Sequence, residues 1–171
     1  MAVMWYSALI GAVVVERCAE VVVSKRNLEW SRAHGGYEVG FGHYPAMAVL
    51  HTAFLVGCLA EVIVFDRPFI PFLGWTLFAI VVAAQALRWW CIVTLGHQWN
   101  TRVVVIPGAP RVTSGPYRYF THPNYVAVVA EGIALPLVHT AWVTALVFTV
   151  LNAVLLSTRI RVENAALARL A

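Results

Sequence analysis

Four nearly unbroken apolar stretches, residues 3–23, 46–65, 73–95 and 140–158, constrain this chain more than any other feature. Each offers close to the roughly 20 residues that a helix needs to cross about 30 Å of hydrocarbon. A fifth stretch, 123–138, is shorter and ends near Pro136, so it either tilts less or packs as half of a hairpin. With 171 residues, 61% apolar and 12% charged, the chain has room for one domain, 1–171, and lies far from the soluble average. The expected fold is an all-α polytopic membrane bundle of about five transmembrane helices.

The first stretch has no basic segment ahead of it and no small-residue cleavage site after it, so it is expected to stay in the membrane. With five spans, Lys25, Arg26, Arg32, Arg102, Arg111, Arg118, Arg159, Arg161 and Arg169 share one side and Arg67 falls opposite. The positive-inside rule then puts the N-terminus outside and the C-terminus in the cytoplasm, in an inner (plasma) membrane. The net charge of +4 is thus a topological signal suited to anionic lipid head groups, and no nucleic-acid partner is implied. Cys18, Cys58 and Cys91 lie in apolar stretches without C-x-x-C spacing and read as packing residues.

Two connections and the tail carry the remaining information. Residues 24–45 mix charges with Trp30, Tyr37, Phe41 and Tyr44, as expected along a lipid interface. Residues 96–122 contain Pro107, Gly108, Pro110, Gly115 and Pro116, which prevent a helix, while 103–106 is too short to span. Irregular backbone beside a bilayer is tolerated when it lines a polar cavity, so this loop is the leading candidate for a ligand site. Pro123 suits the first position of a helix, which makes His122 the cap and leaves backbone N–H groups free for an anion such as a carboxylate. His122 and Tyr125, three apart, share a face. The last helix can run from 140 to 171, about 48 Å, so its end projects beyond the hydrocarbon.

The segment GPYRYFTHPNY, 115–125, resembles the G-P-Y-R-x-x-R-H-P-x-Y signature of the isoprenylcysteine carboxyl methyltransferase family, with Thr121 where that family has Arg. ALRWW, LGHQW and RIRVENAAL fall where the family has its A-L-R, L-G-x-x-W and E-E-x-x-L elements, so the resemblance covers about 85–171. Further upstream, SKRNLEW, GGYEVGFGHYPAM and LH are similar to a bacterial branch encoded beside type III polyketide synthases, which O-methylates alkylpyrones or alkylresorcinols.

The resemblance implies S-adenosylmethionine as cofactor, in a cytoplasmic pocket holding Val112, Gly115, Tyr117, His122, Tyr125 and Glu163. Tyr117, beside Pro116, is a candidate to stack on an adenine, the alternative being an ordinary interfacial tyrosine. Glu163, one turn beyond Arg159, would meet the cofactor's ammonium or ribose, although Asn164 stands where the family has a second Glu.

Ionisable residues inside spans are informative because burying one in hydrocarbon costs at least about 2.5 kcal/mol. Arg88, with Gln85 on its face, is a candidate to hold an anionic substrate oxygen, and Asn124 and Glu131, seven apart, to face one cavity. The expected catalytic set is Arg88, Tyr125 and Glu131, with His122 or Glu131 as base if the acceptor needs one. Glu16, Arg17 and Glu20 are expected to neutralise one another or snorkel, Glu61 and Asp66 to reach water, and His51 and His139 to serve packing or the interface. No pair has metal-ligand spacing backed by other donors.

The expected function is O-methylation of a lipid-like acceptor, most specifically an alkylpyrone or alkylresorcinol. A carboxyl methyltransferase of an isoprenylated cysteine or prenyl acid is the first alternative, and a non-catalytic membrane carrier the second.

Overall fold

The computed structural model describes residues 2–40, 42 and 44–168; Phe41, Arg169 and the last stretch of the projected helix, 169–171, lie outside them. Five helices form: α1 Ala2–Ala33, α2 Tyr44–Val64, α3 Pro71–Leu95, α4 Pro123–Leu137 and α5 Trp142–Ala168. Pro71 and Pro123 each sit in the first turn of a helix, where a missing N–H costs nothing, and Pro136 lies one residue before α4 ends.

Among the described residues three helices are long and apolar enough to cross a membrane: α2, α5, and α3 together with the 3-10 turn Gly96–Gln98. α4 is a shorter apolar helix of 15 residues. Only 28% of the apolar window of each long helix is buried, and side chains such as Phe72, Val93 and Leu146 stand outward. Such a surface is untenable in water and ordinary in lipid, which makes the chain a membrane helix bundle.

The core gathers Tyr6, Ile10 and Val13 of α1 with Phe54, Cys58 and Val62 of α2, Val81 of α3, Leu135 of α4 and Phe148 of α5. Cys58 and Cys91 are buried, Cys18 is exposed, and all three are free thiols. His139 packs on Tyr6 and Phe69, and His51 on Phe148, as packing residues do.

The bundle has two distinct ends. At one, Tyr6 donates to the Leu135 carbonyl (3.0 Å), Thr140 donates to the Pro68 carbonyl (2.8 Å), and His139 Nδ1 lies 2.8 Å from the Arg67 carbonyl. Glu61, expected to reach water, is 5% exposed here. Its carboxylate accepts from the backbone N–H groups of Val143 (3.1 Å) and Thr144 (2.7 Å) and pairs with Arg67 (2.8 Å). Glu61 therefore caps the first turn of α5 from a neighbouring helix, satisfying donors that have no intrahelical partner.

At the other end, α1 continues through Ala33, so residues 24–33 are helical rather than loop. The two long connections meet in a short antiparallel ribbon, β1 Tyr37–Val39 with β2 Val103–Val105, in the register Tyr37↔Val105 and Val39↔Val103. Val103, Val105 and Ala166 of α5 form a small satellite core against Val39. The ribbon is the one departure from an all-helical fold among the described residues, and its valines are stiff, β-branched residues suited to strands.

Candidate functional site

A cavity of about 310 Å³ opens between residues 95–112, the start of α4 and the end of α5. That volume lies within the range of small-molecule sites. Val112, Tyr117, His122, Tyr125 and Glu163, separated by up to 51 positions, all line it. Trp99, Arg102, Asn124 and Arg159 also line it.

Its polar wall is one connected network. Arg159, 8% exposed, donates through Nε to Tyr125 Oη (2.8 Å) and through Nη1 to the Thr101 carbonyl (2.6 Å). Tyr125 donates in turn to Glu163, whose other oxygen lies 3.3 Å from His122 Nδ1. His122 Nε2 is 3.0 Å from Asn164 Oδ1, and the His122 and Tyr125 rings stack with centroids 5.2 Å apart. The hydrogen bond and charge of Glu163 hold the His122 imidazolium, raising its pKa above the ordinary histidine value. Burial pushes the Tyr117 phenol up, so it faces the cavity as a neutral ring. Asn124 Oδ1 is buried and has no partner, an acceptor left for whatever occupies the space. Val103, Val105, Val112 and Ala166 add apolar lining. The arrangement suits a ligand with one zwitterionic end and one flat apolar end.

Gly115 is placed differently from expectation. It does not line the cavity but lies against α3, where an added Cβ would come within 2.6 Å of Thr94 Oγ1 and 3.1 Å of Trp90 Nε1. Its φ of 56° is strained for any residue with a side chain. Its role is to let the GPYR turn, Gly115–Arg118, pack flush on α3.

Arg88 and Glu131 are likewise not in the cavity. Each lies seven residues from a cavity-lining position, Leu95 and Asn124 respectively, and so roughly 10 Å deeper along its helix. They join a buried ionic cluster. Arg88 Nη2 is 3.2 Å from Glu131 Oε2 and Arg88 Nε is 3.3 Å from Glu20 Oε1. Arg17 bonds Glu20 (2.8 Å) and Glu131 (2.6 Å). Glu16 accepts from Trp89 Nε1 (2.6 Å) and from Gln85. Glu16, Arg17 and Glu20 do neutralise one another in part, as expected, but they do so together with α3 and α4. Arg88 is already flanked by two carboxylates, so it is not a free anion receptor. Asn124 and Glu131, expected to share a cavity, do not.

Arg159, expected from the sequence only as a basic residue at the loop-bearing end, lines this cavity and holds Tyr125. The available signal was an arginine, the first of the pair Arg159 and Arg161, at the end of an apolar span and one turn before Glu163. Trp99 gave no signal beyond its motif. Among the described residues no group of three or more His, Cys, Asp or Glu could hold a metal ion.

The family model described as the isoprenylcysteine carboxyl methyltransferase (ICMT) family matches residues 76–169, just over half of the chain. An uncharacterized protein of Bacillus subtilis (strain 168), YpbQ, is 39% identical over 160 residues, spanning 93% of this chain and 94% of its own length. An uncharacterized protein of Haemophilus influenzae (strain ATCC 51907 / DSM 11121 / KW20 / Rd) is 26% identical over 141 residues, 81% of this chain and 80% of its own. No solved structure matches the chain.

Proposed function

We propose, from the premise that this chain belongs to the isoprenylcysteine carboxyl methyltransferase family, that it is a membrane O-methyltransferase using S-adenosylmethionine on a lipid-like acceptor. The observation that carries this reading is the cavity, whose donors and acceptors fit that cofactor. Glu163 suits the ammonium of its amino-acid end. Arg159 and the imidazolium of His122 suit its carboxylate, helped by the N-terminus of α4. Asn124 Oδ1 offers the missing acceptor for an amino or hydroxyl group, and Tyr117 with Val103, Val105 and Val112 suits the adenine. When bound, the cofactor supplies a methyl group on a positively charged sulfur; the protein's work is binding, orientation and exclusion of water.

The finer assignment, a polyketide-derived alkylpyrone or alkylresorcinol, rests on the likeness of 24–30 and 35–47 to the bacterial branch. A long tail can stay among the helices while the polar head meets the cofactor at the membrane surface. The end bearing the cavity carries Lys25, Arg26, Arg32, Arg102, Arg111, Arg118, Arg159 and Arg161 against Arg67 at the other, which supports a cytoplasmic cavity. A 4-hydroxypyrone or a carboxylate is ionised at neutral pH and needs no base. A resorcinol, nearer the pKa of tyrosine, needs one.

The test is direct. Purified protein in detergent should bind S-adenosylhomocysteine and, given the cofactor and a panel of acceptors, yield a product one methylene heavier by mass spectrometry. With an alkylpyrone and saturating cofactor, kcat/KM for the acceptor should stay nearly flat from about pH 6 to pH 8, whereas a phenolic acceptor should show a rising limb. A prenylated cysteine as the preferred substrate would move the assignment to carboxyl methylation. Each tail methylene buried is worth about 0.8 kcal/mol, so a tail-less analogue turned over equally well below saturation would sink the lipid reading.

A further inference from the structure

The last three turns of α1 carry three polar side chains that are all but fully buried: Ser24 (5% exposed), Asn27 (6%) and Ser31 (1%). Buried polar groups need partners, and two of these find theirs on the connection that walls the cavity. Asn27 Nδ2 donates to the Gly96 carbonyl (3.0 Å) and to the Trp99 carbonyl (2.7 Å), the two that bracket the 3-10 turn after α3. Gly96 has a φ of 53°, so its peptide is held in an orientation that most residues avoid. Ser24 Oγ lies 2.8 Å from Thr101 Oγ1 and accepts from the Thr101 backbone N–H (3.0 Å). The carbonyl of that same Thr101 accepts from Arg159, which holds Tyr125. One clamp therefore runs from α1, through residues 96–101, to the network around Glu163. Ser31, by contrast, bonds only the Asn27 carbonyl within its own helix.

We propose that Asn27 is a positioning residue for the cavity, so that α1, which lies outside the family-matched residues, is a working part of the ligand site. The inference rests on the reading of the cavity as the cofactor site. Asn27 sets the Gly96–Trp99 turn, the turn sets Trp99 and Thr101, and Thr101 sets the guanidinium of Arg159.

The test compares Asn27→Asp, Asn27→Ala and Ser31→Ala in full-length protein in detergent, by S-adenosylhomocysteine affinity well below the unfolding midpoint. Asn27→Asp keeps the shape but turns acceptors toward two carbonyls, so its affinity should fall by about tenfold or more, as should that of Asn27→Ala. Ser31→Ala, equally buried on the same helix, should bind as wild type does. With the wild-type methyl transfer in hand, KM for the cofactor should rise more than kcat falls. Wild-type affinity in Asn27→Asp, or an equal loss in Ser31→Ala, overturns the proposal while leaving the cofactor site standing. No binding by wild type removes the cofactor reading itself. If the Asn27 variants do not fold, Ser24→Ala decides the matter: weaker binding at an unchanged midpoint supports the clamp, and unchanged binding refutes it.

Discussion

Replacing Arg88 by methionine should destabilise the protein far more than replacing its partner Glu131 by glutamine. The buried cluster sets three carboxylates, Glu16, Glu20 and Glu131, against two guanidiniums, Arg17 and Arg88. Loss of Arg88 leaves Glu20 and Glu131 to share Arg17, and the surplus grows from one negative charge to two. Stripping one partner from a buried pair costs about 3–5 kcal/mol. For a chain of this length that lowers the unfolding midpoint by about 6–20 °C. Glu131→Gln instead brings the cluster to charge balance and keeps an acceptor oxygen, so its cost should be about 1–3 kcal/mol. The double variant Arg88→Met/Glu131→Gln should then be more stable than the sum of the two losses, since the residues are in direct contact. Thermal unfolding in a single detergent, followed by tryptophan fluorescence, measures all three. An unmoved midpoint in Arg88→Met with turnover depressed would show that Arg88 serves the acceptor rather than the bundle. A larger loss in Glu131→Gln than in Arg88→Met would refute the charge count.

Three further outcomes follow from other contacts. Because Glu163 raises the His122 pKa, the contribution of this pair is complete below about pH 6.5 and fades as pH rises through the higher folded value; S-adenosylhomocysteine affinity should weaken over that upper window, and Glu163→Gln should move the transition back toward the ordinary histidine value. Glu61→Gln should lower the midpoint by an amount equivalent to about 0.5–2 kcal/mol by weakening the cap on Val143 and Thr144, with cofactor affinity unchanged at the opposite end of the bundle. A reporter fused after the last residue should be cytoplasmic and one inserted beside Arg67 external; the reverse would separate the cavity from the cytoplasmic cofactor pool.

Much of the site was legible because its residues cluster along the chain. His122 and Tyr125 belong to one helical turn, Pro123 announces where that turn begins, and Glu163 falls one turn past an apolar span. Gly115, which the resemblance puts in the cofactor pocket, does not line the cavity, and its close approach is to Thr94 and Trp90. Arg88 and Glu131 stood out correctly as buried ions. Whether a buried ion is spare or spent depends on what faces it, and Arg17 and Glu20 face it from a helix some 70 and more positions away.

From the sequence by itself came the number of helices, the loop-bearing end and its basic residues, the break at 96–122, and the family likeness. These are local properties: hydrocarbon thickness fixes span length, proline and glycine fix breaks, and charge near a span fixes its side. Only the tertiary structure decided that β1 pairs with β2, that Glu61 caps α5, that Arg159 rather than Arg88 joins the cavity, and that Asn27 reaches Gly96 and Trp99. Each is a partnership between segments far apart in the chain. A polar side chain in an apolar bundle must find a partner, but which one it finds is set by helix rotation and depth, which the spacing of residues along one segment does not encode.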